Sequence, residues 1–308
     1  MNTKKPAVLF IVFNRLDTAA RVFECIRKFA PDRLYIAADG PRPEVKGERD
    51  DCNAVRKLAD SIDWPCRLEK RFLDQNLGCK LAVSSAISWF FENEPEGIIL
   101  EDDCLPHDSF FPFCAQLLEK FRDDHRVMHI GGSNLQMGIN RGNASYYFSS
   151  MANVWGWAGW RRVWNNYDIR MEKLAEVEKE DMMLSVFPDE HTANWVMNAA
   201  RATRDGVLQT WDYQYGFSII INNGLCIIPN HNLVTNIGFG NNSTNTGNAK
   251  DVHANIPLQA IYNITHPEIF IPNRKADLYQ LSHSIPKSSS PVIQLPLHKK
   301  LVKKIFNV

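Results

Sequence analysis

Segments of strand length alternate with segments of helical pattern along the first 125 residues. The predicted strands are 7–13, 34–38, 66–73 and 97–100, and the predicted helices are 16–29, 44–60, 79–92 and 108–121. In 16–29, apolar side chains recur three or four residues apart, as on one face of a helix. The nearly unbroken apolar run 7–13 is typical of a strand buried on both faces. This order, with short connections, predicts an α/β fold with a mostly parallel sheet flanked by helices.

The second half of the chain has a mixed pattern. Tryptophan and glycine dominate 154–160, and a helix is predicted over 190–204. A further helix opens at 211–215, followed by a short apolar strand at 225–228. Residues 236–249 are rich in Gly and Asn, which predicts a mobile surface loop.

Polar side chains follow four of the predicted strands at the points where those strands end. These are Arg15, Asp39, Asn76 and the pair Asp102 and Asp103. Ligands of parallel α/β sheets bind beyond the carboxyl ends of the strands. The sequence therefore predicts a binding site at this edge of the sheet.

Three adjacent acids, Glu101, Asp102 and Asp103, stand directly after the strand 97–100. Like charges this close oppose joint ionisation, and a divalent cation relieves the repulsion. Carboxylate oxygens suit Mg²⁺ or Mn²⁺, which leave positions open for substrate phosphates. The alternative is an exposed acidic turn that caps the helix after Asp108 and Ser109. The motif alone leaves both interpretations open.

Composition excludes some classes of protein. Lys+Arg and Asp+Glu number 35 each, so net charge offers no attraction to nucleic acid. No G-x-G-x-x-G follows the first strand and no G-x-x-x-x-G-K-[ST] occurs, which disfavours a Rossmann dinucleotide site and a P-loop. The seven cysteines are odd in number and form no C-x-x-C pair, which favours a reducing, cytoplasmic setting. No apolar run approaches the length of a membrane span or of a cleaved signal.

The order of four motifs resembles the GT-A nucleotide-sugar glycosyltransferases, nearest to the N-acetylglucosaminyltransferase I type and its bacterial relatives. The motifs are the acids 101–103, Gly-Trp-Ala-Gly-Trp at 156–160, Trp-Asp-Tyr-Gln at 211–214 and Gly-Phe-Gly at 238–240. Together they cover roughly residues 6–250 and are specific only in combination. One departure stands out. The family tends to have another acid and a Trp where this chain has Tyr213 and Gln214, so the acceptor subsite of this chain departs from the family pattern.

The resemblance implies roles for individual residues. It makes Asp103 the ligand of a Mn²⁺ or Mg²⁺ that bridges the donor diphosphate, and it places Asp102, with Glu101 beside it, at the sugar or ribose. It also places Arg15 near the nucleotide, Asp39 at the uracil edge, and Asp212 as the catalytic base. From residue type alone, Asp212 has a helix N-cap as its alternative role.

Other donor contacts are predicted from the residues themselves. Asn76 follows a strand, and Ser243 and Thr244 in the loop 236–248 offer hydroxyl groups to phosphate. Trp157 offers a wall for a sugar, because sugar C–H faces pack on indole rings, with core packing as the alternative for this tryptophan and its neighbours.

The predicted function is an inverting, metal-dependent glycosyltransferase that moves a sugar from a UDP-sugar, UDP-N-acetylglucosamine among them, to a hydroxyl of a glycan or lipid-linked acceptor. The setting resembles bacterial polysaccharide biosynthesis. The alternatives are a sugar-1-phosphate nucleotidyltransferase and a non-catalytic carbohydrate- or nucleotide-binding protein. The first would need a Gly-rich basic loop after the first strand, where this chain has Phe13-Asn14-Arg15-Leu16.

We expect one catalytic domain over 1–284, with a nucleotide-binding half (1–125) and an acceptor half (126–284). The tail 285–308 is basic and amphipathic. Such a segment either lies on an anionic membrane, which would place the protein peripherally at its inner face, or docks as a helix with a solvated basic face.

Overall fold

The first half of the molecule alternates strands and helices, as the pattern predicts. The computed structural model describes residues 5–240 and 251–285. In chain order the first elements are β1 (Ala7–Val12), α1 (Leu16–Phe29), β2 (Arg33–Ala38), α2 (Glu48–Arg56), a 3₁₀ helix (Lys57–Ser61), β3 (Arg67–Phe72), α3 (Gly78–Asn93), β4 (Glu96–Glu101), β5 (Cys104–Pro106) and α4 (Phe110–Lys120).

The second half contains shorter and more varied elements. They are β6 (Val127–Gly131), β7 (Tyr146–Ser149), β8 (Trp157–Trp160), α5 (Arg161–Trp164), α6 (Leu174–Lys179), α7 (Met183–Val186), α8 (Glu190–Arg204), α9 (Asp212–Ile221), β9 (Leu225–Pro229), β10 (Val234–Asn236) and α10 (Arg274–Ser284). None of the described helices is both long enough and apolar enough to cross a bilayer.

Eight strands form one sheet in the order β3-β2-β1-β4-β8-β6-β9-β7. Strands β3, β2, β1 and β4 run parallel, and β8 inserts antiparallel between β4 and β6. The predicted α/β class, a mostly parallel sheet flanked by helices, is confirmed. The division into two halves and a tail stays a prediction.

Strand β1 is the centre of the parallel part of the sheet. Val8 lies opposite Leu34 of β2 and opposite Ile98 of β4, and every residue of β1 is buried. Strand β3 lies at the edge and is only partly buried, which explains its polar sequence. Burial on both faces thus accounts for the apolar run, and an edge position accounts for its absence in β3.

Aromatic side chains join the sheet to the helices of the second half. Trp157 of β8 contacts Trp164, Trp211 and Tyr215, with ring centroids 4.9–6.4 Å apart. Trp211 is 2% exposed and immediately precedes α9. This aromatic cluster therefore fixes the start of α9 against the sheet.

Glu101 ends β4, and Asp102 and Asp103 form a tight turn before β5; we call these three acids the acidic turn. Strand β5 pairs with β10, so the chain returns to a strand before α4 begins at Phe110. No side chain caps α4 by a hydrogen bond. The alternative of an acidic helix cap therefore does not describe these residues.

Candidate functional site

A cavity of about 480 Å³, the main cavity, opens where β1, β2, β3 and β4 end. Seven of the predicted site residues line it: Arg15, Asp39, Asn76, Glu101, Asp102, Asp103 and Asp212. The first six follow parallel strands whose carboxyl ends share one edge, and Asp212 comes from the second half of the chain. The structure thus brings these predicted residues around one space.

Arg15 bridges the two aspartates of the acidic turn. Its Nη2 lies 2.7 Å from Asp102 Oδ1 and 2.8 Å from Asp103 Oδ2. The backbone N–H of Phe13 donates to the other oxygen of Asp102, at 3.2 Å. The loop after β1 therefore holds the acidic turn by hydrogen bonds as well as by charge.

The acidic turn carries more negative charge than Arg15 neutralises. Burial, together with the charges of Asp103 and Asp102, raises the pKa of Glu101 to about 8. Burial also raises the pKa of Asp102, although Arg15 opposes that shift. Even with Glu101 protonated near neutral pH, two aspartates face one guanidinium here, so the turn favours the approach of a further cation.

The donor set of the acidic turn fits a metal that is shared with a ligand. Among the described residues there is no group of three or more His, Cys, Asp or Glu side chains that could hold a metal ion. Mg²⁺ and related cations are commonly held by one or two carboxylates, with phosphate oxygens and waters completing the shell. Asp103, whose side chain is 15% exposed at the cavity, suits that role, and the protein alone does not supply a closed site.

The segment that leaves β10 packs directly on the acidic turn. The backbone N–H of Ile237 donates to the carbonyl of Asp103, at 2.8 Å. A Cβ added to Gly238 would lie 2.2 Å from Asp103 Oδ2, so only glycine fits there. Farther along this segment, Phe239 meets Trp155 edge-on, with ring centroids 5.7 Å apart. Ser243 and Thr244, predicted donor contacts in the same loop, lie outside the described residues.

Asp39 accepts hydrogen bonds where α3 begins. Its carboxylate accepts from the backbone N–H groups of Leu77 (2.9 Å), Gly78 (3.0 Å) and Gly40 (2.8 Å), and from Nδ2 of Asn76 (3.0 Å). A negative charge here also complements the helix dipole. Asp39 therefore organises the loop that carries Asn76, a role that the sequence pattern did not reveal.

Asp212 is the first residue of α9, on the part of the main cavity that the second half of the chain contributes. Burial raises the pKa of its carboxyl group, while the hydroxyl of Thr210, which donates to Oδ1, lowers it. The charge of Asp212 also contributes to raising the pKa of Glu101. A carboxylate with a raised pKa is a stronger base, which suits proton abstraction.

Trp157 is not placed as predicted. It is 1% exposed, does not line the main cavity, and packs in the aromatic cluster beneath it. Trp155 lines the cavity instead. Trp155 precedes β8, which begins at Trp157, so the alternation of strand side chains does not relate the two tryptophans, and the sequence alone does not distinguish them.

Other residues of the main cavity were not predicted. Arg42 lines it, although Glu48 already pairs with its guanidinium. Arg71, near the end of β3, donates to the hydroxyl of Ser85 at 3.2 Å. Asn236 accepts from the backbone N–H of Gly238. A signal for Arg71 was present, because it follows the same strand-end rule that identified Asp39.

Comparison with known proteins leaves the family of this chain open. No protein-family model matches the chain, and no curated protein matches it. Similar solved structures include HddC from Yersinia pseudotuberculosis, at 10% identity and TM-score 0.33, covering 53% of this chain and 80% of that one. A UDP-glucose pyrophosphorylase complexed with UDP-glucose gives 10% and 0.34, covering 53% and 78%. At such TM-scores these similarities carry no argument about function.

If Asp39 organises the loop before α3, Asp39→Asn should destabilise the fold. The amide NH₂ cannot accept from backbone N–H groups, so we expect the free energy of unfolding to fall by about 1–3 kcal/mol in a urea titration. Asp74→Asn, at an exposed aspartate of the same loop, serves as the control and should change little. Equal stability of the Asp39 and Asp74 variants would contradict the organising role.

The raised pKa of Glu101 predicts a pH dependence of stability. Because the folded state holds this proton up to about pH 8 and the unfolded state releases it near 4.5, stability falls as pH rises between these values. Relative to Glu101→Gln, the wild-type protein should lose up to about 1.4 kcal/mol of unfolding free energy per pH unit in that window.

The measurement is urea unfolding at intervals from pH 5 to 8. Glu92→Gln, at an exposed glutamate of α3, is the control and should follow the wild-type pH profile. If Glu101→Gln has the same pH profile as the wild-type protein, the carboxyl group of Glu101 is ionised across this window and burial does not raise its pKa.

Proposed function

We propose that this protein is an inverting glycosyltransferase that moves a sugar from a UDP-sugar to a hydroxyl of a glycan or lipid-linked acceptor. One observation carries the proposal: the acidic turn and Arg15 line the main cavity together with the partly buried carboxylate of Asp212. The first group suits a metal-bound diphosphate, and the second suits a base that accepts the proton of the acceptor.

The leaving group is placed at the acidic turn. Asp103 would hold Mn²⁺ or Mg²⁺ there, and the cation would neutralise charge that develops on the departing diphosphate. Arg15 supplies a fixed positive charge beside it, and Asp102 keeps Arg15 in position at 2.7 Å. Positive groups set in advance where negative charge develops lower the barrier without costly reorganisation.

We place the nucleoside beside Asp39 and Asn76, which follow β2 and β3, whereas the acidic turn lies at the end of β4. Nδ2 of Asn76 donates to Asp39 and to the carbonyl of Gly40, and within the described part of the chain its amide oxygen accepts no hydrogen bond, so it can accept one from a ligand. Asp39 contributes by holding this amide and the start of α3 in place. The uracil contact that the resemblance gives to Asp39 therefore involves Asn76 as well.

Asp212 acts as the base. It accepts the proton of the acceptor hydroxyl as that oxygen attacks the anomeric carbon from the face opposite the diphosphate, which gives inversion. The raised pKa of Asp212 favours this transfer. Trp211 and the aromatic cluster beneath keep the carboxylate from moving away.

The phosphate contacts of the loop 236–248 and the membrane contact of the tail are proposed from the sequence alone. Ser243 and Thr244 as phosphate contacts fall outside the described residues, and so does the tail 285–308 as a membrane-binding segment, except for its first residue. A cytoplasmic protein at the inner face of the membrane, acting in polysaccharide assembly, is the setting that we propose for this activity.

The loop after β1 argues against the alternative of a sugar-1-phosphate nucleotidyltransferase. That loop holds Phe13, Asn14 and Arg15, and Asn14 is engaged with Glu48 at 2.9 Å. It contains no glycine to bring backbone N–H groups around a triphosphate. The two reactions also release different products, UDP in one and pyrophosphate in the other.

The test is a turnover assay with a panel of UDP-sugars and Mn²⁺ that measures UDP release, on wild-type protein and Asp212→Asn. Loss of a general base should slow turnover by about 10²–10⁴-fold. UDP affinity, measured by calorimetry, should change less than about threefold, since Asp212 does not hold the nucleotide. Asp205→Asn, an exposed aspartate before α9, is the control.

Two results would contradict the proposal. One is Asp212→Asn turning over as fast as wild type. The other is pyrophosphate release from UTP and a sugar 1-phosphate that outpaces any UDP release from UDP-sugars, which would establish the nucleotidyltransferase reaction instead.

A further inference from the structure

A second cavity, the side cavity, adjoins the main cavity at Asp212. Its volume is about 230 Å³, and it shares Val154, Trp155, Asp212 and Tyr213 with the main cavity. A molecule in the side cavity can therefore reach the carboxylate of Asp212 while another molecule fills the main cavity.

Three helices line the side cavity, and their aromatic and aliphatic side chains form the surface that we call the aromatic wall. Trp195 and Val196 come from α8, Phe217 and Ile220 from α9, and Leu281 from α10. Flat aromatic and aliphatic surfaces of this kind accept the C–H face of a sugar ring.

Gly216 keeps the space next to Asp212 open. It lies one helical turn after Asp212 on α9, so the two positions share a face of the helix. A Cβ built on Gly216 would meet no atom of the described residues within 4 Å, and Gly216 lines the side cavity. Glycine is unfavourable inside a helix, so its presence is explained by room for a ligand more readily than by the needs of the helix.

Polar groups stand on another side of the side cavity. Nε2 of Gln280 donates to Oδ1 of Asn153 at 2.7 Å, and Nδ2 of Asn153 donates to the carbonyl of Ser133 at 3.2 Å. Ser133 is 1% exposed, and its hydroxyl has no hydrogen-bond partner within the described parts of the chain. A buried hydroxyl without a partner is costly, and a polar ligand that fills the cavity would satisfy it.

We propose that the side cavity binds the acceptor as a single monosaccharide unit. The apolar face of the ring lies against the aromatic wall, ring hydroxyls meet Ser133 and Gln280, and one hydroxyl reaches Asp212. This inference rests on the proposed function, since it names the acceptor class for the same reaction. The volume limits the enclosed part to one ring, so any further sugar or lipid extends outside.

The transfer step balances with these groups. The acceptor oxygen forms a bond to the anomeric carbon of the donor sugar, and the bond from that carbon to the diphosphate oxygen breaks. The acceptor proton passes to Asp212, and UDP leaves with the electron pair.

Saturation-transfer NMR with methyl β-glycosides of glucose, galactose and N-acetylglucosamine tests the proposal. Spectra are recorded with and without UDP and Mg²⁺, on wild-type protein, Gly216→Leu and Ser133→Ala. We expect at least one methyl glycoside to bind, at least tenfold weaker binding in Gly216→Leu because leucine fills the cavity, and a smaller loss in Ser133→Ala. Asn222→Leu places a leucine at the exposed residue that directly follows α9 and is the control.

Folding and function are separated within the same experiment. Gly216→Ala should melt at or above the wild-type temperature, since its Cβ meets no atom, yet bind the glycoside more weakly. Wild-type binding of no methyl glycoside, or equal binding by Gly216→Leu, overturns the side-cavity proposal. Octyl β-glucoside is added as a fourth probe, and saturation confined to its alkyl chain also overturns the proposal. Failure of UDP to bind while a methyl glycoside still binds overturns the proposed function instead.

Discussion

The bridge from Arg15 to Asp102 and Asp103 is the interaction on which the site depends. One guanidinium nitrogen lies within 2.8 Å of both carboxylates, and it joins the loop after β1 to the turn after β4. Without it three carboxyl groups would face one another in a place that water reaches poorly, and removing one partner of such a pair leaves an uncompensated charge. The same bridge sets the position of Gly238, whose backbone packs on both partners.

A second constraint places the base. Trp157 and Trp211 stack in the aromatic cluster, with ring centroids 6.1 Å apart, and this contact joins the sheet to the start of α9. Asp212 follows Trp211 directly, so its carboxylate is held by the core and not by a loop. Gly216 lies one turn farther along the same helix and lines the side cavity. The main cavity and the side cavity therefore meet at the carboxylate of Asp212, whose position is fixed by the core.

The sequence pattern predicted the parallel sheet and most of the site because both follow from short-range rules. Strand β1 is apolar since both its faces are buried, and Arg15, Asp39 and Asp103 follow strands whose ends must meet. Those rules do not predict contacts between segments that are far apart in the sequence. The pairing of β5 with β10, the inward direction of Trp157 and the space beside Gly216 depend on segments distant along the chain, which leave no local periodicity.

The most direct test of the central claim is calorimetric titration of UDP in Mn²⁺ and in EDTA, with wild-type protein, Asp103→Asn and the exposed control Asp108→Asn. A diphosphate held through a cation at the acidic turn predicts binding that requires Mn²⁺, is retained in the Asp108 variant and weakens at least about tenfold in the Asp103 variant, a loss of about 1.4 kcal/mol or more. Equal binding of UDP in EDTA, or equal binding by Asp103→Asn, would contradict the assignment of the acidic turn to a metal-bound diphosphate.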